Sequence, residues 1–166
     1  MARFISYDKP LRRVYTYNDI WGMSANNKEQ KYAMDLLFDK DVQIVSMTGQ
    51  AGTGKTLIAA AWGLEQVLSS SRSQGGYDKL IITRPVQPMG RDIGFLPGTL
   101  EEKMLPWIAP LRDNLEFLFG DKTALQMQVD QGVIEIEAMT YIRGRSISNA
   151  FMIVDEAQNL TAHELK

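Results

Sequence analysis

The pattern of apolar and polar residues along the chain predicts alternating helices and strands. Apolar residues recur with the helical period over residues 27–38, and residues 57–68 are rich in Ala and Leu without proline. Both segments are therefore predicted to be helices. Short apolar or alternating runs predict four strands, at residues 43–47, 79–83, 133–139 and 151–154. Strands that alternate with helices are typical of an α/β fold with a mainly parallel sheet.

The remaining segments are less regular. Residues 1–25 are interpreted as an arm with a basic cluster (Lys9, Arg12, Arg13) and a short strand at residues 14–17. A helix is predicted to begin at Thr99, to be interrupted at Pro106 and to resume through Leu118. The connecting segments are a polar loop at 69–76, a Gly- and Pro-rich excursion at 85–97 and a connection at 140–150.

One loop carries a phosphate-binding pattern. It matches G-x-x-x-x-G-K-[ST] in every fixed position and comprises Gly49, Gln50, Ala51, Gly52, Thr53, Gly54, Lys55 and Thr56. Glycines let backbone N–H groups wrap a phosphate chain, and the helix that follows directs its positive end toward the anion. We therefore expect Lys55 to reach the terminal phosphates of a nucleotide and Thr56 to ligate Mg²⁺. The alternative is a glycine-rich turn before an ordinary helix.

A second motif lies at the end of the last predicted strand. The apolar residues 151–154 are followed by Asp155 and Glu156, which a parallel strand would deliver to the carboxyl edge of the sheet. We expect Asp155 to hold Mg²⁺ and Glu156 to act as the base that orients water. Without the phosphate-binding loop, the same pattern is more typical of a core strand that meets solvent.

Composition excludes several classes of protein. The 166-residue chain has single-domain size, and its 45% hydrophobic and 23% charged content is typical of globular proteins. It has no cysteine and only one histidine, His163, which excludes a thiolate or His-based metal centre. The net charge of −2 means that nucleic acid would need a local basic patch. We expect a cytoplasmic protein, since neither a signal peptide nor a long apolar run is seen.

The chain ends soon after Glu156, which is early for a motor-type P-loop core. Such cores need a further strand and often an arginine at the γ-phosphate. We therefore expect a three-layer α/β sandwich of the RecA or helicase type, in which residues 26–166 form an ATPase domain that is incomplete at its carboxyl end. The alternative is a protein that takes these parts from another chain.

From about Asn26 to its end, the chain resembles the PhoH-like ATPases, a family of P-loop proteins related to superfamily-one helicases. The resemblance is carried by short runs in order, at residues 26–30, 83–85, 92–98, 101–103, 106–107, 113–115, 143–146 and 155–159. It implies that Gln30 reads the adenine edge, because an amide offers the donor and acceptor that adenine requires. The alternative is a solvated residue on a helix face.

The resemblance also implies contacts with single-stranded RNA at predicted strand ends, from Thr83, Arg84, Arg143 and Arg145. A guanidinium can bind phosphate in a bidentate way or stack on a base. Two alternatives stay open for the arginines: surface salt bridges, or an arginine finger to a neighbouring subunit.

The function implied is Mg²⁺-dependent ATP hydrolysis coupled to RNA binding or remodelling, in a homo-oligomer for which a hexameric ring is the candidate form. One alternative is a binding module that holds ATP as an assembly switch and hydrolyses it weakly. A small-molecule kinase is a second alternative, but Asp155 and Glu156 favour activated water. Longer relatives carry a PIN nuclease domain, whereas residues 1–25 show no acidic nuclease constellation.

Overall fold

The computed structural model describes residues 1–15, 17, 19–69, 76–85, 100–142 and 144–164, with the backbone alone over 100–103. The chain divides into two compact units, Met1–Trp62 and Gly63–Lys166. The predicted boundary between residues 25 and 26 stays a prediction. No helix in these described ranges is both long and apolar enough to cross a membrane.

The first unit contains a small hairpin and a capped helix. Strands β1 (Ala2–Arg3) and β2 (Arg12–Arg13) pair in antiparallel fashion. Helix α1 (Lys28–Phe38) begins at Asn27, whose side chain accepts a hydrogen bond from the Gln30 N–H at 2.8 Å. Such a cap satisfies a backbone donor that the first helical turn leaves unpaired. The helix predicted over residues 27–38 is thus confirmed.

Helix α2 (Lys55–Leu68) follows the loop with the glycine-rich pattern, which confirms the second predicted helix. Its residues Ile58 and Trp62 pack with Met34 of α1 into a buried apolar cluster. Tyr17 and Leu37 are among the partly buried residues that surround this cluster. The amino-terminal turn of α2 is therefore anchored by core packing, and this fixes the position of the loop before it.

Two arginines join the hairpin to α1. Asp39, at the end of α1, accepts hydrogen bonds from Arg3 at 2.7 Å and from Arg12 at 2.8 Å. Arg3 also reaches the buried Asp35 at 3.4 Å. Burial alone would raise the pKa of Asp39, but the hydrogen bonds from the Asp41 N–H and Arg3, with the charge of Arg12, hold it below its usual value. The predicted basic cluster thus has a structural role at Arg12.

Two strand predictions in the first unit are wrong. Residues 43–47 form no strand, and Ile44 is 87% exposed. Apolar residues give a strand only when a neighbouring strand takes their backbone hydrogen bonds, and this segment has no such partner among the residues described. The short strand expected at 14–17 lies instead at Arg12–Arg13, with Val14 donating its N–H to the Met1 carbonyl at 3.1 Å. Thr16 lies outside the described residues.

The second unit is built on a three-stranded parallel sheet. Its strands are β3 (Lys79–Arg84), β4 (Ile134–Ala138) and β5 (Ala150–Val154), in the order β4-β3-β5. Leu80, Ile81 and Ile82 of the central strand are fully buried, as expected for a parallel strand covered on both faces. These three strand predictions are confirmed, and the architecture is a mixed α/β fold.

Helix α3 (Leu100–Phe119) runs without the interruption predicted at Pro106. Pro106 and Pro110 are both exposed, so neither ring takes up space in the core. Leu111 and Leu115 are fully buried on the other side, and this packing outweighs the two lost hydrogen bonds. The predicted helix start, Thr99, lies outside the described residues, as do residues 70–75 and 86–97 of the two predicted loops.

Two short helices were not predicted. Helix α4 (Lys122–Asp130) starts after Gly120, and its cap Asp121 accepts a hydrogen bond from the Thr123 N–H at 2.8 Å. A glycine stop followed by an aspartate cap is a signal that the sequence did contain. Helix α5 (Met139–Ile142) is one turn long and follows β4 directly.

Gly63, the first residue of the second unit, lies against the sheet of that same unit. A Cβ atom at this position would be 2.6 Å from Leu80 Cδ1 and 3.1 Å from Phe151 Cδ1. Both distances are shorter than ordinary van der Waals contact. The glycine therefore allows the helix to approach β3 and β5 more closely than any other residue would.

Candidate active site

The loop at residues 49–56 has the backbone conformation that its glycines permit. Gly52 and Gly54 adopt φ angles of 77° and 82°, in the left-handed region that most residues avoid. The Thr53 hydroxyl donates a hydrogen bond to the Gln50 carbonyl at 2.9 Å, which closes the turn. The loop is therefore an ordered turn at the amino terminus of α2, where backbone dipoles favour an anion.

The ammonium group of Lys55 lies on this loop. It donates hydrogen bonds to the carbonyls of Gly49 at 2.9 Å and Gln50 at 2.7 Å, and it is 3.4 Å from the Thr53 hydroxyl. The lysine thus brings a full positive charge to the loop. The Lys55 ammonium group and the backbone N–H groups at the helix terminus are together donors that fit the phosphate groups of a nucleotide.

Gln30 is brought to the same loop. Its Nε2 donates a hydrogen bond to the Thr53 carbonyl at 3.1 Å, and its Oε1 accepts one from the Asn26 N–H at 2.7 Å. Both ends of the amide therefore contact protein groups in this structure. These contacts tie the start of α1 to the loop, and the role of Gln30 toward adenine stays a prediction.

The carboxyl edge of β3 and β5 forms a second cluster, in the second unit. The Asp155 N–H donates to the Thr83 carbonyl at 2.9 Å, which continues the parallel pairing beyond the end of β5. Glu156 follows with φ 51° and ψ 39°, a left-handed conformation that is costly for a residue with a side chain. Strained residues of this kind cluster at functional sites.

The carboxylate of Glu156 is held from two sides. Arg84, at the end of β3, places Nη2 at 3.6 Å from Oε1. Gln158 donates a hydrogen bond from Nε2 to Oε2. The sequence interpretation gave Gln158 no role, although the residue lies in the run 155–159 that carries the family resemblance.

The other residues predicted to contact nucleic acid differ in accessibility. Thr83 is fully buried, and its hydroxyl has no hydrogen-bond partner in the described structure, so its side chain contributes to no surface. Arg145 bonds to Glu135 at 2.7 Å and Glu137 at 2.8 Å, which matches the salt-bridge alternative. These two glutamates raise the pKa of Arg145. Arg143 lies outside the described residues.

The candidate ligands for a divalent cation are two separate residues, and they do not form a ready-made cluster of metal-binding side chains. Within the described ranges, no three His, Cys, Asp or Glu side chains cluster in a way that would hold a metal. A cation delivered with a nucleotide needs no such cluster, because phosphate oxygens and water complete its shell. Thr56 and Asp155 offer the hydroxyl and carboxylate oxygens that Mg²⁺ prefers, so the residues present fit this ion.

Comparison with known proteins gives a consistent family match. Residues 22–166 match the sequence profile of the family described as "PhoH-like protein". The chain is 49% identical over 158 residues to "Protein PhoH2" of Bacillus subtilis (strain 168), covering 93% of this chain and 35% of that protein. It is 37% identical over 143 residues to "Protein PhoH" of Escherichia coli (strain K12), covering 86% of this chain and 38% of that protein.

A further relative is the "PhoH-like protein" of Synechocystis sp. (strain ATCC 27184 / PCC 6803 / Kazusa). It is 44% identical over 119 residues, which cover 71% of this chain and 34% of that protein. The chain thus spans roughly a third of the length of these curated relatives.

Proposed function

The chain belongs to the PhoH-like family, and on this basis we propose that it binds ATP with Mg²⁺ and hydrolyses it. Family membership supports nucleotide binding in general. The observation that carries the proposal is the loop at residues 49–56, where two left-handed glycines and the Lys55 ammonium meet at a helix amino terminus. An ordinary glycine-rich turn has no reason to hold a lysine over its carbonyl groups.

The proposed roles follow from the chemistry of each side chain. Residues 49–56 bind the phosphate chain through backbone N–H groups, and Lys55 adds positive charge at the β- and γ-phosphates. Thr56 and Asp155 hold Mg²⁺, which supplies charge neutralisation on the phosphates when bound. Glu156 orients and deprotonates the attacking water. Gln30 confers preference for adenine.

The finer features of the proposal come from the family. We propose a three-layer sandwich of the RecA or helicase type, hydrolysis coupled to single-stranded RNA, a homo-oligomer with a ring as the candidate form, and a cytoplasmic location. The residues for RNA are Arg84, Arg143 and Arg145. Arg84 is favoured over Arg145, because its described ion pair with Glu156 is long at 3.6 Å, whereas Arg145 makes short hydrogen bonds to Glu135 and Glu137.

Two substitutions test the proposal. Lys55→Ala should weaken ATP binding by about 100-fold or more, because a charge-assisted contact with phosphate is lost. Glu156→Gln should leave ATP binding within about threefold of the parent, because it removes only the base, and should lower turnover by about 100-fold or more. Isothermal titration with ATP and a phosphate-release assay measure the two effects.

The control is Lys122→Ala, which removes an exposed lysine of α4 that pairs with Glu116. This variant should bind and hydrolyse ATP like the parent. Equal ATP binding by the Lys55→Ala variant and the parent would contradict the site assignment. Tight binding without turnover in the parent, with and without RNA, would favour the alternative of a nucleotide-gated binding module.

A further inference from the structure

We propose that Arg84 restrains Glu156 in the absence of RNA, and that a phosphate of single-stranded RNA takes Arg84 away and releases the base. This inference rests on the proposed function, since it assigns a regulator to the proposed catalytic glutamate. It makes Arg84 a positioning residue that connects the RNA contact to hydrolysis.

The first observation is that both oxygens of the Glu156 carboxylate are engaged. Arg84 is 3.6 Å from Oε1, and Gln158 donates to Oε2. A base must offer an oxygen to the water that it deprotonates. Each oxygen therefore has a donor group beside it that competes with the water for its lone pairs.

The second observation is the backbone of Glu156. Its left-handed conformation turns the chain out of β5 directly after the strand ends, at the edge where Arg84 also emerges from the neighbouring β3. The parallel pairing of Thr83 with Val154 places Arg84 level with Asp155, one residue before Glu156. The contact therefore joins two adjoining positions at the ends of neighbouring strands.

The third observation is that the contact is weak enough to exchange. The side chains of Arg84 and Glu156 are 26% and 39% exposed, and their separation is long for a hydrogen bond. Partly exposed pairs of this kind contribute little to stability. A phosphate offers a guanidinium two short, charge-assisted hydrogen bonds, so it can displace the carboxylate.

Arg145, in the same unit, is held by its carboxylate partners more firmly than Arg84 is. It makes short hydrogen bonds to two glutamates of β4, and Glu135 is further held by Lys79 at 2.7 Å. Burial would raise the pKa of Glu135, but Lys79 and Arg145 together hold it below its usual value. Among the described residues, a phosphate would have to replace two short contacts at Arg145, against one long contact at Arg84.

The test compares turnover with and without a short oligouridylate. In the parent, RNA should stimulate ATP hydrolysis. Arg84→Gln should raise the rate without RNA by about fivefold, which is the size that one partly exposed ion pair can supply. The same variant should lose most of the stimulation by RNA and bind the oligouridylate more weakly in a fluorescence-anisotropy titration.

Arg112→Gln is the matched control, because Arg112 forms a comparable pair with Glu116 at 3.2 Å on the surface of α3. It should leave both rates and RNA affinity unchanged. Gln158→Leu removes the other contact with Glu156 and keeps Arg84. It should raise the rate without RNA and retain stimulation, and it tests the idea independently if the Arg84 variant does not fold.

The outcomes separate the two proposals. A parent that hydrolyses no ATP under any condition contradicts the proposed function itself. If the parent is active, a rate without RNA that stays equal or falls in Arg84→Gln overturns the restraint, whatever happens to RNA affinity. Unchanged rates in both Arg84→Gln and Gln158→Leu would show that the two contacts do not limit the base.

Discussion

Gln30 illustrates how one side chain can be assigned two different roles. The family resemblance assigns it to adenine, whereas the structure shows its amide bonded to the Thr53 carbonyl and the Asn26 N–H. Reading adenine would require the amide to exchange these partners. Supporting the loop requires no change at all.

Substitution of Gln30 distinguishes these roles. If the residue reads adenine, Gln30→Ala should narrow the ratio of ATP to GTP affinity by about tenfold, since two hydrogen bonds of about 0.5–1.5 kcal/mol each are lost for ATP alone. If it supports the loop, affinity should fall equally for both nucleotides. Competition titrations measure the ratio, and Lys28→Ala, an exposed substitution on α1, is the control.

At the scale of elements, Gly63 controls how closely α2 packs on the sheet of its own unit. Alanine is the better helix former by roughly 0.5–1 kcal/mol. We nevertheless expect Gly63→Ala to lower the free energy of unfolding by about 1–3 kcal/mol, because the added methyl would overlap the buried Leu80. Chemical denaturation measures the effect.

A double-mutant cycle isolates the cause of this loss. Leu80→Ala removes the atom that the new methyl would meet. The double variant should therefore lose less free energy of unfolding than the two single variants lose in sum. Strict additivity of the two losses of free energy would show that the effect of Gly63→Ala does not come from overlap with Leu80.

The link between the hairpin and α1 predicts a response to acid. The pKa of Asp39 is lowered from its usual value of 3.8, so its contacts stabilise the fold above that pH and are lost as the pH falls through the lower folded-state value. Asp39→Asn should therefore reduce the free energy of unfolding at neutral pH by about 1–3 kcal/mol. The difference from the parent should shrink below about pH 4.

Urea denaturation across a pH series measures this dependence. Asp41→Asn is the matched control, because Asp41 is exposed and contacts Asp39 only through its backbone N–H. A difference between Asp39→Asn and the parent that stays constant down to low pH would mean that the carboxylate charge is not what stabilises the hairpin.

At the scale of the whole molecule, the net charge of −2 limits how RNA can bind. Each phosphate contact with a single strand contributes a slope of about −0.7 to the dependence of log affinity on log salt. With Arg145 paired to two glutamates, we expect a shallow slope of about −0.7 to −1.4 for the parent, in keeping with one or two contacts. Anisotropy titrations at several salt concentrations measure it.

Arg84→Gln should make this slope shallower by about 0.7, whereas Arg112→Gln should not change it. A slope of about −4 or steeper in the parent would point to an extended basic track instead of a local contact.

The sequence predicted most elements of the fold where local pattern and packing agree. Helices α1 and α2 and strands β3, β4 and β5 follow their apolar periodicity. The strand expected at 43–47 is absent because a strand depends on a partner that no local pattern reveals. The interruption predicted at Pro106 is absent because packing outweighs the local signal. Burial of Leu111 and Leu115 keeps the helix intact.

The candidate site divides in the same way. The places of the loop at 49–56 before α2 and of the acids at 155–156 after β5 could be predicted from residue type and spacing, whereas their function stays a prediction. The contact of Arg84 with Glu156 could not, because it depends on which strands are neighbours. The hydrogen bonds of Arg145 could not be predicted either, because they depend on the chain after α5 passing beside Glu135 and Glu137 of β4.

The left-handed backbone at Glu156 sets stability against activity at a single position. A glycine there would adopt φ 51° without the cost of about 1 kcal/mol or more that a side chain incurs in this region. Variants selected only for resistance to heat would therefore drift toward glycine at 156 and lose the carboxylate that we propose as the base. Stabilisation of this chain should keep Glu156 and seek the free energy at other positions.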